Sequence, residues 1–75
     1  MRAEMRLYSL IFTHLGCPLS AVALSIRAAS DEEAIQRAAM LLRRRFGWHW
    51  QASVWCDGRC VARQMRAERY HGRAA

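Results

Sequence analysis

The sequence predicts an α+β domain of chain order ββαββ, a four-stranded antiparallel sheet with one helix, about residues 31–46, packed on one face. Three observations predict it. The stretch from Ser30 to Gly47, S-DEEAIQRAAMLLRRRF-G, reads as a helix marked at both ends. Two alternating stretches precede it and two follow. Between the last two lies Asp57-Gly58, the strongest short hairpin signal in the chain.

The first strand is expected over Arg6 to His14. Tyr8, Leu10 and Phe12 share one face; Leu7, Ser9, Ile11 and Thr13 share the other. Apolar residues on both faces suit a central strand. The run could also be taken for a targeting signal, with Arg2 and Arg6 ahead of it and Ala21-Val22-Ala23 as a cleavage site. Ser9, Thr13, His14 and the strand-like alternation favour the strand. Leu15 to Leu19 is a turn, marked by Gly16 and Pro18. Ala21 to Ala28 alternates more cleanly, with Val22, Leu24, Ile26 and Ala28 facing inward as a half-buried strand.

In the helix, Ser30 is suited to cap the first turn, and Glu33 to reach back to the Ser30 amide in a capping box. Asp31, Glu32 and Glu33 complement the positive end of the helix dipole; Arg43, Arg44 and Arg45 complement the negative end. Gly47 can adopt the left-handed conformation that ends a helix. At roughly 100° per residue, Ile35, Ala38, Ala39, Leu42 and Phe46 form one narrow apolar stripe. Met40 and Leu41 flank the outer, arginine-bearing side.

Trp48 to Cys56 is the third strand, with Trp48, Trp50, Ala52 and Val54 toward the helix and Trp55 away from it. Arg59 to Met65 returns. A two-residue turn pairs Val54 with Val61 and Trp50 with Met65, but carries Arg63 to the inner face. A longer loop would bring Cys60 and Ala62 inward instead. The two-residue turn is the preferred reading, and a one-residue slip would exchange every face assignment. A helix of this length spans the sheet once, at about 1.5 Å per residue against about 3.3 Å in a strand. A right-handed crossover then gives the strand order 2-1-3-4. Residues 1–4 read as a loose arm and 66–75 as a basic tail.

Seventy-five residues make one domain with a modest core. All twelve basic residues are arginine, and the formal net charge is +6. The absence of lysine and asparagine, beside thirteen alanines, fits a GC-rich bacterial or phage genome. The charge favours acidic partners: an acidic protein, a nucleoprotein complex or nucleic acid. No run is long enough for a transmembrane helix. An odd number of cysteines points to free thiols in a reducing, cytoplasmic setting of a bacterial host cell.

Little here points to catalysis. His14, Cys17, Cys56 and Cys60 could be pooled into a zinc site, but the crossover topology holds the pairs apart and Cys56-x3-Cys60 is not a knuckle spacing. Five of the six carboxylates are at the helix start, at Asp57 and at Glu4, with no isolated acid–base pair. No phosphate loop, dinucleotide fingerprint or metalloprotease motif is present. The chain reads as a non-enzyme without cofactor or metal. Its candidate partner-binding residues are Trp55, Arg59, Arg63 and Arg66, with Arg43, Arg44 and Arg45, because tryptophan and arginine are the residue types that most often anchor interfaces. An alternative is direct nucleic-acid binding, with Trp55 or Tyr70 stacking on bases. A homodimer through a sheet edge is compatible with both.

In size, single α+β domain, GC-rich composition and lack of motifs, the chain resembles the small proteins that phages and mobile elements use against host defences, anti-CRISPR proteins among them. The resemblance implies an inhibitor that acts by steric occupation of a partner's surface.

Overall fold

The computed structural model describes residues 4–67. Strands β1 (Arg6–His14) and β2 (Ala21–Ala28) form the first hairpin; helix α1 (Asp31–Leu41) continues without a break as a π-helical turn, Leu42–Phe46; β3 (Trp50–Cys56) and β4 (Arg59–Arg66) form the second hairpin. The sheet is antiparallel throughout, in the expected order β2-β1-β3-β4. Arg66 therefore belongs to β4 and not to a tail. Among the described residues, no helix is long and apolar enough to cross a membrane. The expected arm lies outside the described residues except for Glu4, as does the tail beyond Ala67.

The helix begins as its cap residues dictate. Ser30 is extended (φ −153°, ψ 163°), and its Oγ accepts from the Glu33 amide at 3.1 Å. Glu33 reaches back, but to the Ala29 amide at 2.8 Å, one residue earlier than a capping box requires. At the other end the Gly47 amide donates to the Leu42 carbonyl, a π-type closure, and Gly47 turns the chain at φ 93° and ψ −169°. The φ is positive as expected. The ψ is extended rather than left-handed helical, and that combination is open essentially to glycine alone.

One face of the sheet meets this helix. Tyr8, Leu10 and Phe12 of β1, Ala52, Val54 and Cys56 of β3 and Ala28 of β2 are fully or almost fully buried there, beneath Ala34, Ala38 and Leu42. The inward stripe is therefore centred on Ala34, Ala38 and Leu42, with Ile35, Leu41 and Phe46 packed at its margins. Ala39 lies nearer the edge than its place on an ideal helix suggests, and Leu41 turns toward the core rather than outward. Phe46 stacks on Phe12 with ring centroids 4.3 Å apart. Its ring also contacts Trp50 at 4.9 Å.

Two expectations for the inner face need correction. Trp48 is 66% exposed, because the Trp50 amide donates to the Gly47 carbonyl and a turn occupies 47–50 before β3 begins. Val22 and Leu24 of β2 also remain 37% and 39% exposed. The helix starts above Tyr8, ends above Phe12 and Trp50, and leaves the first half of β2 uncovered.

The β3–β4 register settles the conflict over Arg63. Asp57 (φ 54°) and Gly58 (φ 74°) form the two-residue turn, and Cys56 pairs with Arg59. Two irregularities follow, so that Val54 pairs with Ala62 and Ala52 with Met65. Val61 is the extra residue of the first, and Arg63 and Gln64 together oppose Ser53 in the second. Gln64 has φ 55°. The bulges bring Ala62 and Met65 inward and leave Arg63 exposed.

Candidate interaction surface

The second face of the sheet carries no other element among the described residues, because the single helix lies on the first. Trp55 is at its centre, opposite Ser9 on β1 and Cys60 on β4. Alternation along β3 dictates this, since Val54 and Cys56 point to the core. The indole is part-buried, and its Nε1 donates to Ser53 Oγ at 3.0 Å. That bond satisfies the indole N–H and directs the ring along β3 toward Ser53. Around it Ser9, Ser25, Thr13, Ala21 and Ala23 are small, Ile11 is half-buried beside Ser53, and Leu7 is 56% exposed.

The seven sequence-predicted residues do not form one patch. Arg66 pairs with Gln51 and so shares the face of Trp55. Arg59 pairs with Cys56 and lies on the helix side, where its guanidinium is 3.8 Å from Asp31. Both groups are well exposed, so this ion pair contributes little to stability. Arg63 is exposed at the second bulge. Arg43, Arg44 and Arg45 surround the π turn, in the layer on the opposite side of the sheet from Trp55. Tyr70, the other proposed stacking residue, lies outside the described residues. Sequence reasoning overlooked Arg27. It pairs with Leu7, so its position alternates onto the open face. The signal was available: the first hairpin's register alone assigns Arg27 to the face that β3 alternation gives to Trp55.

The cysteine and histidine chemistry resolves into separate local roles. Cys17 is exposed in the first turn, Cys56 is buried and Cys60 is half-buried on the other face; all three are free thiols. Ser20 Oγ donates to Cys17 Sγ at 3.5 Å, and this bond, with a backbone bond from Leu19, lowers the thiol's pKa. His14 is not the partner of that thiol. Its Nδ1 accepts from the Gly16 amide at 3.0 Å, and its ring stacks with His49 and meets Trp50 edge-on. Among the described residues, no three histidine, cysteine or acidic side chains gather as a metal site would need.

Compared with protein-family models, with curated proteins and with solved structures, the chain gives no match.

Proposed function

We propose that this is a small, basic, non-catalytic protein-binding module that acts in the bacterial cytoplasm. Its open sheet face docks on an acidic or nucleic-acid-handling partner and blocks it sterically, in the manner of small phage and mobile-element inhibitors of host defence. One observation carries the reading: a half-buried tryptophan, its N–H already satisfied by Ser53, centred on a face that no other element covers among the described residues and that also holds Arg27 and Arg66. An indole of that kind loses little side-chain entropy on contact and offers a large apolar area. The arginines supply orientation and attraction, and Arg63 with Arg43, Arg44 and Arg45 adds to the surrounding positive field.

The test is capture from a bacterial lysate by the tagged protein, with and without nuclease. The captured partner should persist after nuclease treatment. Trp55→Ala combined with Arg66→Ala should weaken its binding at least tenfold, while Arg59→Ala, on the other side of the sheet, should not. Binding that survives the double substitution refutes the assignment of this face. The net charge of +6 supports a second reading, direct nucleic-acid binding. Gel shifts at two salt concentrations separate the two, because phosphate contacts impose a steep salt dependence. No shift at low salt excludes the second reading.

A further inference from the structure

The free edge of β2 is built differently from the free edge of β4. The His14 amide donates to the Ser20 carbonyl at 3.0 Å, one rung beyond the Thr13–Ala21 pair. In an antiparallel ladder, hydrogen-bonded and non-hydrogen-bonded pairs alternate. Val22, Leu24, Ile26 and Ala28 therefore direct their backbone groups to β1. Ala21, Ala23, Ser25 and Arg27 direct theirs outward, where no further strand lies among the described residues. An independent contact agrees: the Arg27 carbonyl is reached from outside by the Arg37 guanidinium at 3.2 Å.

Exposed edges are normally guarded by bulges, proline or inserted charge. The β4 edge has two bulges and three arginines, Arg59, Arg63 and Arg66. The β2 edge, AVALSIRA, has an unbroken register and a single charge near its end. Beside it, on the helix side, runs a groove of about 330 Å³ lined by Val22, Leu24, Leu41, Phe46 and Arg45.

We propose that the β2 edge takes up an extended segment of an acidic partner protein as a fifth strand. Main-chain bonds to Ala21, Ala23 and Ser25 would supply affinity, and side chains alternating between the two faces would supply specificity. The side chains on the helix side are apolar and fill the groove against Val22 and Leu24. Those on the other side are acidic and lie toward Arg27. Charge decides between this occupant and a second copy of the chain. Pairing β2 with itself about a two-fold axis at Ala23 would bring two Arg45 side chains onto the same side of the joined sheet, in chains of net charge +6 each. Like charges placed in that way oppose association. The proposal uses the sheet edge and groove, shares Arg27 but not Trp55 with the open face, and does not depend on the function proposed above.

The test uses the full chain and two synthetic octapeptides of identical composition. One alternates valine and glutamate; the other arranges them in blocks of two. The alternating peptide should bind at least tenfold more tightly and slow amide exchange at Ala21, Ala23 and Ser25 at least tenfold. Ala23→Pro removes one outward N–H without touching the β1 ladder, and should weaken binding at least tenfold. Leu24→Glu, at a position already 39% exposed, should do the same by placing a carboxylate in the groove. Equal binding of the two peptides would overturn the proposal, as would undiminished binding by both variants. Slow, concentration-dependent exchange of the three amides without peptide would also overturn it, and would assign the edge to a second copy.

Discussion

Tyr8 joins the core to the surface more directly than any other residue. Its ring is completely buried in the centre of β1, while its hydroxyl donates to Asp31 Oδ1 at 2.7 Å. Asp31 is the first residue of α1, so one bond ties the start of the helix to the middle of the sheet. The same carboxylate raises the phenol's pKa, first through this hydrogen bond, then with burial and direct charge repulsion added. The sign follows from which form the fold favours. Ionisation would set a phenolate against a carboxylate, so the folded state prefers the neutral ring. That preference contributes stability in full below the ordinary tyrosine value of about 10 and loses it as pH rises through the raised value. The melting temperature should therefore fall above about pH 10. Tyr8→Phe should lower it at neutral pH, because Asp31 loses its donor, and should reduce the alkaline fall. Melting curves of both proteins across pH 7–11 check this; identical alkaline slopes would remove Tyr8 as the cause.

At the scale of elements, the most informative one is β4, because two local demands compete within it. Asp57-Gly58 favours a two-residue turn with both residues at positive φ, and the structure has it. Continued without interruption, that turn would bury Arg63 beside Ala52. The first irregularity, at Val61, moves Arg63 off that face, and the second, at Arg63 and Gln64, sets Met65 rather than Gln64 opposite Ala52 at the cost of holding a non-glycine residue at φ 55°. A β-branched side chain tolerates that conformation worst, so Gln64→Val should lose about 1–2 kcal/mol, whereas Gln64→Gly should hold or gain stability. Urea denaturation of the two variants checks the order; the reverse order would mean that β4 runs without its second bulge. Such a bulge is hard to read from sequence, because it reflects a balance between turn geometry and burial that spans ten residues. The helix ends were easier, since Ser30 and Gly47 act on their own neighbourhoods. Trp55 was also legible, because alternation in β3 depends only on which residues enter the core. Trp48 was not: the same alternation was carried two residues too far, into a turn that Gly47 begins. The groove beside β2 escaped for a different reason. It exists because Phe46 docks on Phe12 and draws the helix end over β1 and β3, a long-range contact with no local signature.

Among the described residues the fold is one-sided, with its helix on one face of the sheet, and its energetics should be too. Among the described residues ten make the buried core, and of these Tyr8, Phe12, Leu10, Leu42 and Val54 are the large, fully enclosed ones. Native chains gain roughly 0.05–0.15 kcal/mol per residue net, which is roughly 4–11 kcal/mol for a chain of this length. A single large-to-small change inside such a core is therefore comparable to the total. Leu10→Ala, fully buried between sheet and helix, should cost about 2–5 kcal/mol and leave the protein marginal at best. Leu7→Ala, on the same strand but on the open face and 56% exposed, should change stability by less than about 0.5 kcal/mol. The pair is a direct measure of whether the second face is covered in solution. If Leu7→Ala costs as much as Leu10→Ala, something packs on that face, and Trp55 belongs to a second core. If the costs differ as stated, the face carries an indole and two arginines without being needed to hold the fold together. Its residues can then be exchanged freely in binding assays, because loss of binding will not be loss of structure.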